Sequence, residues 1–174
     1  MASYKTLLLP LLHEILVREV GEANIKPLEW SEVSPVKYSF SANINGEDEE
    51  VIVDFEHITD EAQKQYYLPQ KYRSLKSVYN IAYMVSGTEI QSAKTTLKVL
   101  LTVMSTVVDI VRSFVQANSP EALYVTASAK ELGSSDKSQK ANLYRAFIEK
   151  QLSSVPGYGV DTYRDGFIIV KQSK

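Results

Sequence analysis

Few side chains in this chain have the chemistry for catalysis, and their spacing narrows the options further. The sequence holds two histidines and no cysteine. Without a thiol, disulfides, thiolate nucleophiles and cysteine-ligated zinc are excluded. His13 lies in an apolar N-terminal stretch. His57 follows Glu56 and precedes Asp60, a grouping that could ligate a metal, although polar residues at a strand end account for it as well. Glu47, Asp48, Glu49 and Glu50 form an acidic run without the fixed ligand spacing of a calcium loop, and read as the solvated tip of a hairpin. No Gly-x-Ser-x-Gly elbow, P-loop, His-Glu-x-x-His pair or dinucleotide fingerprint occurs. Hydrolytic and redox chemistry therefore lack most of their usual instruments, and no metal is expected.

The elements that would position these groups follow from apolar periodicity. Leu8, Leu11, Leu12, Ile15 and Leu16 recur at helical spacing and predict a helix over 3–20, with Gly21 as its stop. Residues 25–35 contain two prolines and read as a connecting loop. From residue 37 the period becomes two. Tyr38, Phe40, Ala42 and Ile44 share one face, Asn45-Gly46 signals a turn, and a return strand over 50–56 carries Val51, Val53 and Phe55. Together these make a hairpin over 37–56. Residues 59–74 are polar and tyrosine-rich, with a helical first turn and then a surface loop. Residues 77–85 are apolar on both faces, as in a central strand.

A long helix over 94–116 presents Leu97, Leu100, Leu101, Met104, Val107, Val108, Val111 and Phe114 as a wide core stripe. A strand over 122–128, a loop over 129–137 and a helix over 138–152 follow, the last with Leu143, Phe147, Ile148 and Leu152 inward. Asp136 or Ser138 is placed to cap that helix. The chain closes with a hairpin over 158–171, turning at Arg164-Asp165-Gly166. With no internal repeat or linker, the 174 residues predict one α+β domain: a twisted mixed sheet with flanking helices.

A formal net charge of -2 argues against non-specific binding to nucleic acid. No stretch reads as the roughly 20 apolar residues of a membrane span. The run 7–12 is interrupted by Pro10 and lacks a signal peptide's flanks. The expectation is a soluble, cytoplasmic protein. Its 11 tyrosines suit either an interface or a half-buried packing role.

From residue 36 to 171 the order strand, long helix, strand, helix, hairpin resembles the acyl-CoA-binding half of the GNAT acetyltransferases. In that family a splayed strand bonds the pantetheine arm of acetyl-CoA or CoA, and the next helix N-terminus holds the pyrophosphate with its free N–H groups. The resemblance implies that Met84 and Val85 lie along the pantetheine. It also sets Gln91, Ser92, Ala93, Lys94, Thr95 and Thr96 against the phosphates. The family signature Gln/Arg-x-x-Gly-x-Gly/Ala is altered, however. With Gln91 at its first position, Lys94 stands where a glycine admits close backbone approach, and threonines follow it. Asn142-Leu143-Tyr144, followed by Gly157-Tyr158, resembles the family's helix tyrosine and the glycine-aromatic pair that opens the next strand. By that resemblance Tyr144 is the general acid for the departing thiolate. The strand over 77–85 has no acid for the general base, leaving Glu56 or Glu89 as substitutes.

Gly87-Thr88, Thr102-Val103 and Leu143-Tyr144 also resemble pieces of a group of phage-encoded proteins of unestablished function. The expectation drawn from both likenesses is a non-catalytic or degenerate GNAT-like protein of the host-cell cytoplasm, acting by binding a protein partner or by self-association. The alternative is an acyl-CoA-dependent N-acyltransferase.

Overall fold

The computed structural model describes residues 25–44, 46–85, 88–89, 97–126 and 139–173. The helix expected over 3–20, with His13, lies outside them, as do the loop expected over 129–137 and the two candidate caps within 136–138. Among the described residues are eight strands and three α-helices: β1 (Trp30–Ser34), β2 (Lys37–Ile44), β3 (Glu47–His57), α1 (Glu61–Tyr67), β4 (Val78–Val85), β5 (Thr88–Glu89), α2 (Leu97–Asn118), β6 (Ala122–Thr126), α3 (Gln139–Ser153), β7 (Tyr158–Tyr163) and β8 (Gly166–Lys171). One mixed sheet holds all the strands in the order β1-β2-β3-β4-β6-β8-β7, with β5 on β4. The α+β architecture read from the sequence is the one observed.

Every described strand pair is antiparallel except β4–β6. Parallel neighbours cannot be joined by a tight turn, so the chain must cross back along the sheet. Helix α2 makes that crossing. Leu100, Leu101, Met104, Val107, Val108, Val111 and Phe114 pack under the sheet, and Phe114 stacks on Phe55 of β3 at 3.8 Å between ring centroids. By length and composition α2 also passes as a membrane-crossing helix, which the sequence reading did not anticipate. Most of it is buried in the core, as in the central helix of a soluble protein.

The burial of α2 extends beyond the expected stripe. Ser105 and Thr106 are 5% and 0% exposed, so their hydroxyls need partners. The segment 25–30 supplies them. Ser105 Oγ donates to Ile25 O at 2.9 Å, and Thr106 Oγ1 accepts from Leu28 N at 2.9 Å. The indole N–H of Trp30 donates to Asp109 Oδ2 at 2.9 Å. Residues 25–35, expected as a loop, thus form a strap along α2 and then an edge strand, β1, on β2. The prolines fall at its two ends, where they break no ladder bond.

Two further expectations change. Strand β3 begins at Glu47 rather than near residue 50, so the acidic run 47–50 joins the ladder with β2 while forming the largely exposed turn end of the hairpin. Only the two-residue turn separates the strands, with Gly46 at φ +87°. Residues 59–74 are not a free surface loop either. Leu68 is fully buried with Ile58, Val78, Ala122, Tyr124 and Ile168, so this segment covers the sheet face opposite α2 and α3. Polar bonds hold it there. Tyr72 donates to Asp161 Oδ2 at 3.1 Å, and Lys71 Nζ pairs with the same oxygen at 2.6 Å. Lys71 keeps the Asp161 carboxyl below its ordinary range.

The closing hairpin forms as expected, for a different reason. Arg164 takes the left-handed backbone (φ 55°), while Gly166 does not. Gly166 is required by close approach: a Cβ there would meet the backbone oxygen of Val125 and lie 2.8 Å from the Tyr124 ring end. Gly166→Ala should therefore cost about 1–3 kcal/mol in urea denaturation. Gly159→Ala meets only the end of the Gln172 side chain, and should change stability by no more than about 0.5 kcal/mol. Equal losses at the two positions would contradict this packing.

Candidate functional site

Parallel strands that part company leave backbone groups and a crevice at their carboxyl ends, where open α/β sheets take ligands. Here β4 and β6 pair over four positions only, from Val78↔Ala122 to Ile81↔Val125. Strand β6 ends at Thr126, while β4 continues to Val85. Past Ile81, the strands are joined through a side chain. Tyr83 donates from its hydroxyl to Thr126 O at 3.0 Å.

Tyr144 reaches the same seam from α3. Its hydroxyl lies 3.5 Å from that of Tyr83. The helix turns Tyr144, Phe147, Ile148 and Leu152 toward the sheet, and all four are buried. Nothing is described of the Leu143 side chain. The predicted general acid is thus at the carboxyl end of the parallel pair, but it is 0% exposed, and Tyr83 is 8% exposed. A general acid must come within hydrogen-bond reach of the atom it protonates. This hydroxyl is instead packed beside another phenol beneath the sheet.

The two predicted pantetheine positions lie at the end of β4. Met84 is 36% exposed and Val85 6%. Their backbones are engaged along both edges. On one side Met84 pairs with Ile52 and Val51 with Val85 in the β3 ladder. On the other, Met84 pairs with Glu89 and Val85 with Thr88 of β5. The chain's own short strand therefore occupies the edge that a pantetheine arm would need. The residues present do not fit an extended acyl-CoA arm along β4. The positions expected at its phosphates, Gln91, Ser92, Ala93, Lys94, Thr95 and Thr96, lie outside the described residues.

Of the two substitute bases, Glu56 is not brought to Tyr144. Glu56 pairs with Asn80 and accepts from its Nδ2 at 2.8 Å. Asn80 and Tyr83 are an odd number of residues apart on one strand, so Glu56 lies on the face opposite the two tyrosines. The Glu89 backbone is in β5, and its side chain is not described. His57 stacks on Tyr79 at 4.9 Å between centroids and its Nε2 lies 3.1 Å from Lys76 O. Tyr79 is four residues from Tyr83, about 13 Å along the strand. Among the described residues no group of three or more acids and histidines is placed to hold a metal.

The sequence reading missed Tyr83. It stood on the inward face of a central strand, where a tyrosine reads as core; only the register with β6 shows that its hydroxyl spans the parted strands. The other described tyrosines serve mostly as packing. Tyr38, Tyr124 and Tyr158 are buried, and burial pushes the Tyr124 phenol well above its ordinary range. Tyr66, at 56% exposed, is the outlier.

The seam predicts two distinct outcomes at one position. Tyr144→Phe removes a hydroxyl and keeps the ring, and should cost about 0.5–1.5 kcal/mol. Tyr144→Ala leaves a cavity under the sheet and should cost about 3–5 kcal/mol. Chemical denaturation separates them, and a Phe variant as unstable as the Ala variant would contradict a mainly packing role for the ring.

No protein-family model, curated protein or solved structure matches this chain.

Proposed function

We propose that this protein is a GNAT-like scaffold that has given up acyl transfer and acts by binding or assembly. Its partner would be a protein or a second copy of itself, in the host-cell cytoplasm if the phage likeness holds. The observation that carries the reading is the pairing of β5 with Met84 and Val85 on the edge where acyl-CoA would lie. The full burial of Tyr144 points the same way. The GNAT component is supported by the strand order, with one parallel pair bridged by a long helix and an inserted C-terminal strand.

A second reading has a specific observation in its favour. Tyr144 stands at the carboxyl ends of β4 and β6, where an acyl-CoA-dependent N-acyltransferase would want its acid. For catalysis β5 would have to leave the β4 edge and the Tyr83–Tyr144 contact would have to open.

Calorimetric titration with acetyl-CoA and with CoA separates the two. The scaffold reading expects no saturable heat and no thermal shift up to millimolar ligand. Micromolar binding of either compound would overturn it and turn attention to the acceptor substrate.

A further inference from the structure

A deep concavity lies at the other end of the sheet from Tyr144. At the amino-terminal ends of β4 and β6 the surface opens into a cleft of about 1030 Å³. It spans the sheet's end, where the two cores meet. Val115 belongs to the core under α2, whereas Leu75 and Val170 belong to the opposite one. Pro156 completes an apolar wall.

One side chain on this wall is electrostatically incomplete. Arg112 of α2 is half-buried, and its Nη2 donates to Ser154 Oγ at 2.5 Å and to Gln151 Oε1 at 3.4 Å. Both acceptors are neutral. No carboxylate of the described residues stands within salt-bridge distance of it. The cleft's own acid, Glu121, is committed elsewhere. Its Oε2 accepts from Ser77 N at 2.8 Å and Lys76 N at 2.7 Å, bonds that hold the carboxyl below its ordinary range. Lys171 adds a second cation to the lining.

The carboxyl end of α2 also faces this region, and its dipole would oppose an anion. Two of its last carbonyls are already capped, Phe114 O by Asn118 Nδ2 at 3.0 Å and Val115 O by Ser119 N at 2.9 Å. Capping weakens that opposition, and two cations against one committed acid leave the lining net positive.

We propose that this cleft binds a small apolar carboxylic acid. The carboxylate pairs with the free edge of the Arg112 guanidinium, and the hydrocarbon body lies between Leu75, Val115, Pro156 and Val170. A guanidinium fork matches a carboxylate in geometry and charge, and such a pair strengthens as water leaves. The apolar walls argue against a bare phosphate, and a guanidinium without a carboxylate partner among the described residues argues against a neutral lipid. The volume is at the upper end of the range for small-molecule sites. This site stands apart from the β4–β6 seam and does not depend on whether acyl-CoA binds there.

The test is an NMR titration of the ¹⁵N-labelled full chain with octanoate and, separately, with 1-octanol. Octanoate should move the amides of Val115, Gly157 and Val170 saturably and bind at least about tenfold tighter than octanol, a difference of about 1.4 kcal/mol. Arg112→Gln should reduce octanoate to the level of octanol, while Arg112→Lys retains part of the preference. Three results overturn the proposal: no shifts in the cleft at millimolar octanoate, equal binding of acid and alcohol, or shifts confined to the Tyr83–Tyr144 end. The comparison of the two ligands on the unaltered protein needs no variant to fold.

Discussion

The parallel pairing of β4 with β6 is the constraint on which the rest of the structure depends. It forces a long return path, and α2 is that path. A helix so placed is covered by the sheet on one side and must be covered on the other, because its apolar surface extends well around the cylinder. The strap 25–30 does this, with Ser105, Thr106 and Asp109 giving its backbone and indole groups the partners they would otherwise lack. The second sheet face has its own cover in the segment around Leu68 and Tyr72. Helices and segments on both faces thus follow from one topological choice.

The same pairing creates the seam. Among the described residues β6 pairs with β4 only as far as Ile81 while β4 continues to Val85, and an unmatched strand edge invites a ligand, another chain or a segment of its own. In this fold β5 fills the far part and Tyr83 bridges the near part. Tyr144 stands below as a packing partner.

Much of the fold was legible because period and turn chemistry act locally. The alternation from Tyr38 to Ile44, the stripe from Leu100 to Phe114 and the Asp165-Gly166 turn each signalled an element the structure contains. What was not legible depends on distant contact. β1 reads as loop because its exposed face is polar and Pro27 and Pro35 bracket it; its strand character comes from the β2 edge and from Asp109, 79 residues from Trp30. Gly166 gave the right turn through the wrong cause, since its need is space beside Tyr124 rather than a positive φ. Tyr144 was found through resemblance, but its burial and its neighbour Tyr83 depend on the register of strands that no local pattern encodes. The cleft was invisible for the same reason: Leu75, Arg112, Pro156 and Val170 are scattered along the chain and meet only at the sheet's end.

The central claim is that the chain itself occupies the distal edge of β4. Native-state amide hydrogen exchange, read at Met84, Val85, Thr88 and Glu89 with and without CoA, tests it most directly. The account predicts slowed exchange at the ladder amides of the ligand-free protein and no change on adding CoA. Exchange at the open-chain rate without ligand, slowed on adding CoA, would contradict it and would mark that edge as a cofactor site.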